Sequence, residues 1–170
     1  MFIDVSPALM SPGSTFPLDV RLEIEPEVIA DDPVSFEDVR LVGTFSSDGD
    51  AISLAGRITC HIKSRCALCL EPAEADIETD AEAPFVRGAP PDDPNRYALT
   101  GSRLDPASMV REAILLALPM RYLCRADCKG LCPGCGSNLN RVQSCACPAG
   151  GGRENPFAAL RALNTDNEEV

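Results

Sequence analysis

Between Cys124 and Cys147 the chain reads CRADCKGLCPGCGSNLNRVQSCAC, and six of these 24 residues carry a thiol. Thiols at that density bind metal or run redox chemistry, because the thiolate is both a soft ligand and a nucleophile. Spacing narrows the choice. Cys132-Pro-Gly-Cys135-Gly136 has the form of a tight knuckle, in which two intervening residues and a following glycine turn both sulfurs toward one ion. The sequence offers four pairs: Cys66 and Cys69 in SRCALCLEP, Cys124 and Cys128 in CRADC, Cys132 and Cys135 in CPGC, and Cys145 and Cys147 in CAC. A tetrahedral zinc site needs four sulfurs at about 2.3 Å from the ion, so eight thiols predict two zinc ions. The last four cysteines lie within 16 residues and can close locally. That assigns Cys132, Cys135, Cys145 and Cys147 to one site, and Cys66, Cys69, Cys124 and Cys128 to the other. The second of these groups clips a strand hairpin to the end of a helix and closes a loop of more than 50 residues.

Rival uses of the same cysteines fit less well. Cys128-x3-Cys132-x2-Cys135 has the spacing with which radical enzymes hold an iron–sulfur cluster, but 35 residues after Cys135 are too few for their barrel. Neither CxxC opens a helix after a strand, which disfavours thioredoxin-like chemistry. A simpler iron–sulfur cluster is the main competitor to structural zinc. The ninth cysteine, Cys60, falls on the apolar side of its segment and reads as a small buried hydrophobe. His61, the single histidine, falls on the polar side beside Arg57 and Lys63, as a surface residue or at most a substitute ligand.

The elements that must position these thiols follow from periodicity. Leu18, Val20, Leu22 and Ile24 alternate with charged residues, as do Val39, Leu41 and Phe45, then Ile52, Leu54, Ile58, Cys60 and Ile62, and finally Ala75 and Ile77. Period two with one wet face means strands, and Gly, Asp and Pro turns between them predict an antiparallel sheet or open barrel of about four or more strands. Residues 86–101, VRGAPPDDPNRYALTG, hold three prolines and read as a linker or long loop. LDPASMVREAILLALP then predicts one long, well-buried helix over 105–118, with Asp105 as cap and Pro106 at the first position. ENPFAALRAL repeats the device in a short terminal helix that docks Phe157, Leu160 and Leu163. The expected fold is α+β: a mainly β body over 1–123, a cysteine-rich zinc-ribbon-like module over 124–150, and a short helix with a frayed tail over 151–170.

Composition bounds the function. Apolar residues make up 45% of 170 residues, enough for a real core. No basic leader precedes an apolar stretch, and the run from Ala113 to Met120 is far short of a membrane span. The expected compartment is therefore cytoplasmic and reducing, which favours thiolates over disulfides. The formal charge of −11 is uneven: residues 1–60 carry 3 basic against 11 acidic groups, while 101–150 carry 6 against 3. Scattered carboxylates on wet strand faces and closed cysteine sites argue against a metal-dependent nuclease, and against an enzyme generally.

At this point the residues resemble a known family, the YceD-like proteins, called large ribosomal RNA subunit accumulation proteins. LAGRITCHIKSRCALCLEP is similar to the family's CxRCL-like motif after an amphipathic strand, with Leu68 where arginine is commoner. ILLALP matches its helix ending in a Leu-Pro step, and CRADCKGLCPGCGSNLN with the late CAC matches its CxxxCKGLCPxCGxNLN and CxC. NPFAALRAL looks like its C-terminal helix. The resemblance spans roughly residues 15 to 163, and Cys128 to Asn140 is its specific core. It implies a role in accumulation or processing of large-subunit (23S) ribosomal RNA and in subunit assembly. Some relatives lack the last cluster, which agrees with a module carrying its own metal.

Two thiolate-bound zinc ions bring the positive balance of residues 101–150 down to about zero, so no broad basic face is expected. What is left is local: Arg121, Arg125, Lys129 and Arg141 surround the knuckles and are the candidate RNA contacts. The implied partner is large-subunit ribosomal RNA or its precursor, with no membrane and no small-molecule substrate. The competing expectation is an acidic escort for a basic ribosomal protein, acting on RNA indirectly through Glu74, Asp76 and Glu78.

Overall fold

A computed structural model of the chain describes residues 1–29, 31–88, 96–142, 145 and 147. In chain order the elements are β1 (Ile3–Asp4), α1 (Ser6–Met10), β2 (Thr15–Arg21), β3 (Glu27–Ile29), β4 (Asp32–Ser47), β5 (Ala51–Arg65), β6 (Pro72–Val86), β7 (Tyr97–Thr100), β8 (Arg103–Leu104) and α2 (Ala107–Ala117). They form an open, curled sheet in the order β1-β8-β7-β6-β5-β4-β2, with β3 also paired to β4. The scaffold is the long antiparallel trio β4, β5 and β6, of 16, 15 and 15 residues. Alternation is the cause. Ile52, Leu54, Ile58, Cys60 and Ile62 of β5 all face inward and are buried, while Arg57, His61 and Lys63 point to the wet face, opposite Asp80, Asp76 and Glu74 of β6. Cys60 is in the core, where burial pushes its thiol up to about 11.

Several expectations need correcting. The sheet is mixed: β7 runs parallel to β6, pairing Phe85 with Tyr97 and Val86 with Ala98. A strand that returns in the same direction does not follow its neighbour through a hairpin, and β7 falls inside the stretch 86–101 expected as linker. The end of that stretch is therefore strand, fixed by buried Leu99 and by Tyr97 stacked on Phe85 at 5.2 Å. Strand β2 ends at Arg21, ahead of the alternating Glu23 and Ile24. Strand β4 begins well before Val39, because a bulge between Glu37 and Arg40, with Asp38 at φ 52°, shifts the inward side from Val34 and Phe36 to Val39 and Leu41.

Helix α2 is also shorter and wetter than its apolar run implies. It spans 11 residues and buries Met109, Val110 and Ile114 against the sheet. Leu116 stands 89% exposed, two residues past Ile114 and so on the opposite side of the helix. Asp105 does accept a hydrogen bond, from the Ala107 amide at 3.1 Å, and Pro119 follows the extended Leu118 that ends the helix. The terminal helix expected around Asn155 and Pro156 lies outside the described residues, as do residues 89–95 of the expected linker. Among the described residues no helix is long and apolar enough to cross a membrane.

His61 gives the wet face a pH dependence. Its Nδ1 lies 2.8 Å from Asp76 and its Nε2 3.5 Å from Glu74. The hydrogen bond to Asp76 and the charge of both carboxylates raise its pKa above the ordinary 6.5, against desolvation and Lys63. Protonated His61 therefore stabilises the fold in full below pH 6.5, and this contribution is lost as pH rises through the elevated folded value. Thermal midpoints of the wild type and His61→Gln should differ most below pH 6.5 and converge as pH rises through the raised folded value. A gap independent of pH would refute the assignment.

Candidate metal centres

The eight sulfurs gather into the two groups that spacing assigns. Cys66, Cys69, Cys124 and Cys128 form one cluster, Cys132, Cys135, Cys145 and Cys147 the other, and within each all sulfurs lie within 4.8 Å of one another. Individual separations are 3.7 Å for Cys66 to Cys128, 3.5 Å for Cys69 to Cys124 and 3.2 Å for Cys132 to Cys145. Four sulfurs around one tetrahedral ion stand about 3.8 Å apart, given bonds of about 2.3 Å. Both clusters could hold metal ions.

Each is built on a knuckle of the same design. The first closes the β5–β6 hairpin: Leu70 N–H donates to Cys66 O at 2.9 Å, and Cys66 N–H to Glu71 O at 2.8 Å. In the second, Gly136 N–H donates to Cys132 O at 2.8 Å, and Cys132 N–H to Ser137 O at 2.8 Å. The residue four after the leading cysteine is left-handed in both, Gly136 at φ 73° and Leu70 at φ 61°. Glycine accepts this freely, whereas leucine carries strain that the surrounding contacts must offset.

The other two cysteines of the first cluster arrive from beyond α2. Ala67 N–H donates to Tyr122 O at 2.8 Å and Leu131 N–H to Leu68 O at 3.0 Å, so residues 122–131 lie along the first knuckle. Cys66, Cys69 and Ala73 form a small buried core there, covered by Tyr122, Leu123 and Leu131. Gly130, at φ 73°, comes so close that a Cβ on it would sit 3.1 Å from Leu68 O.

The thiols within each cluster are pulled in opposite directions. Burial opposes ionisation of Cys66, but the amides of Cys124, Leu68 and Cys69 outweigh it and hold the thiol down to about 6. Ser137, through its hydroxyl and its amide, holds Cys135 down to about 6. Their neighbours go the other way. Contact with Cys69 pushes Cys124 up to about 12, and contact with Cys135 pushes Cys147 up to about 12. Four thiolates in contact repel, so ionising a whole cluster requires a cation at its centre.

Sequence reasoning missed the groups behind the ligands. Asn140 donates from Nδ2 to Cys128 Sγ at 3.3 Å and accepts the Lys129 amide at 2.9 Å. Asn138 donates to Glu71 at 3.3 Å, and Arg141 pairs with the same carboxylate at 2.8 Å. The string GSNLN carried this information only as letters, without a period or spacing rule to decode it. His61 joins neither cluster. Of the four candidate cations, all exposed, Arg141 is held by Glu71 and Arg125 lies 3.7 Å from Asp127. Arg121 and Lys129 make no ion pair among the described residues.

Fold and site together define a curled mixed-sheet protein with two adjoining four-cysteine clusters able to hold metal. The chain belongs to the YceD family: the family described as "Large ribosomal RNA subunit accumulation protein YceD" matches residues 54–164. It is 36% identical over 56 residues to "Large ribosomal RNA subunit accumulation protein YCED homolog 1, chloroplastic" of Zea mays, covering 33% of this chain and 19% of that one. It is also 26% identical over 148 residues to an uncharacterized protein of Mycobacterium tuberculosis, covering 82% of this chain and 70% of that one. The chain thus spans only about a fifth of the maize protein's length. No solved structure matches.

Proposed function

We propose that this chain is a zinc-stabilised, non-enzymatic factor that supports accumulation of large-subunit ribosomal RNA by binding that RNA or its precursor. The carrying observation is that a member of this family presents exposed Arg121, Arg125 and Lys129 on the segment that also supplies Cys124 and Cys128. Zinc is favoured because all donors are sulfur and their separations match a single tetrahedral ion, whereas a cluster of several irons spreads its ligands wider. Four protein ligands per ion leave no open position for substrate, which supports a structural role and a non-catalytic protein. A reducing cytoplasm suits such thiolates.

Binding through so few cations is short-range and phosphate-directed. Arg121 and Lys129 are available, Arg125 is shared with Asp127, and at Arg141 a phosphate must compete with Glu71. Changing Arg121 and Lys129 together to glutamine should reduce the slope of log affinity against log salt by about 1–2 and weaken different sequences alike. An unchanged slope would exclude this rim as the contact.

The direct test is ultraviolet crosslinking of the tagged protein in growing cells, followed by sequencing of the attached RNA. A focused footprint on large-subunit ribosomal RNA or its precursor supports the proposal. Recovery of a basic ribosomal protein with no footprint would overturn direct binding in favour of the escort reading. That reading has less support, because Asp76 and Glu78 are already engaged by His61 and Arg57.

A further inference from the structure

The two clusters are not separate beads on the chain. The stretch between Cys135 and Cys145 serves both clusters: Ser137 contacts Cys135 and Cys132 of the second, whereas the side chains of Asn138 and Asn140 reach back toward the first. Asn140 donates to Cys128 Sγ at 3.3 Å and, through Oδ1, accepts the Lys129 amide at 2.9 Å. Asn138 Oδ1 accepts the Asn140 amide at 2.9 Å, fixing the turn that aims Asn140, while its Nδ2 reaches Glu71 at 3.3 Å. Leu139 N–H donates to Gly130 O at 2.9 Å. A ligand of the first cluster is thus oriented by a segment whose two ends are ligands of the second.

We propose that the clusters bind metal cooperatively, with Asn140 as the positioning residue through which closure of the second cluster tightens the first. When Cys132, Cys135, Cys145 and Cys147 share one ion, both ends of the segment from Cys135 to Cys145 that carries Asn138 and Asn140 are pinned, and the hydrogen bond to Cys128 forms with less loss of chain entropy. With the second cluster open, the same bond must order the segment by itself. A hydrogen bond donated to a thiolate stabilises the ionised ligand and orients it, and such outer groups commonly change metal affinity by 10–100-fold. The coupling expected here is at the lower end, about tenfold, because the bond is one of several to the first cluster. Linkage makes it reciprocal: occupation of the first cluster favours the second by the same factor.

This inference rests on the metal reading of both clusters, and one experiment separates the two. The full chain, stripped of metal and kept reduced, is titrated with Zn²⁺ against a competing chelator, and bound ions are counted by native mass spectrometry. Wild type binding fewer than two ions would overturn the metal reading, and the coupling with it. Given two ions, the doubly changed variant Cys135→Ser, Cys147→Ser should bind one ion about tenfold more weakly than the wild type binds at its first cluster. Asn140→Ala should cause a similar loss there, and adding it to the double variant should cause almost none. Should Asn140→Ala not fold, Asn138→Ala, which frees the turn without touching a ligand, takes its place in the same cycle. Losses that multiply, or an unchanged first cluster in the double serine variant, would overturn the proposal.

Discussion

Replacing Cys69 with serine is expected to lower the thermal midpoint of the metal-loaded protein by roughly 8–16 °C, whereas Cys135→Ser should move it by less, because the segment it closes can open locally without unfolding the sheet. The difference lies in what each cluster closes. Cys69 and Cys124 are 55 positions apart, and their cluster ties the β5–β6 hairpin to the chain beyond α2. By loop-closure entropy, a cross-link of that length stabilises the folded state by about 4 kcal/mol, and for a domain of this size each kcal/mol moves the midpoint by about 2–4 °C. Cys69 is also 4% exposed and part of a buried core with Cys66 and Ala73. Cys135 is exposed, and its cluster closes a short loop of 16 residues from Cys132 to Cys147. Calorimetry with metal analysis on both variants decides the point. Equal shifts would mean that the two clusters and the sheet unfold as one unit, and no shift in Cys69→Ser would remove the first cluster from the stability of the body.

Gly43→Ala should be nearly as damaging, although it adds one methyl group and touches no ligand. Gly43 of β4 faces Gly56 of β5 across the sheet. A Cβ on Gly43 would fall 2.1 Å from Ala55 O and 2.5 Å from Gly56 Cα, both backbone atoms of the paired strand. Backbone cannot rotate aside as a side chain can, so β5 must shift or the ladder must open. Overpacking ordinarily costs about 1–3 kcal/mol, and a clash with main chain belongs at or above the top of that range. On Gly56 the contacts would be longer, 2.8 Å to Val42 O and 2.9 Å to Leu41 Cδ1, the latter a side-chain atom, so Gly56→Ala should be the milder of the two. Urea unfolding measures both. A loss below ~0.5 kcal/mol in Gly43→Ala would show that the strands have room the geometry denies.

Close approach at a glycine pair and alternation along the strands are two sides of one pattern. Ile52 to Ile62 could be read as a half-buried strand because period two survives over the whole of β5. In β4 the same signal was legible only from Val39 on, since the bulge at Glu37–Arg40 changes which residues face inward. Strands β1, β3, β7 and β8, of 2 to 4 residues, are too short to carry a period at all. Helix α2 looks longer and more buried in the sequence than it is, for a related reason. Its run of apolar residues hides which of them face the sheet, and Leu116 turns out to face away.

The cysteine grouping was legible because it rests on short-range chain geometry. CxxC makes a knuckle wherever it occurs, and four cysteines close in sequence can close in space without help from the rest of the fold. Spacing therefore determined the two sets of cysteines, and alternation determined the long strands that carry Cys66 and Cys69 to one end of the sheet. Only the tertiary structure decided what depends on distant partners: the parallel return of β7, the burial of Cys66 and Cys69 under Tyr122 and Leu131, and the placement of Asn140 on Cys128. These are set by packing and by hydrogen bonds between segments far apart in sequence. Such contacts are selected by the fold's total free energy and leave no periodic trace in the chain.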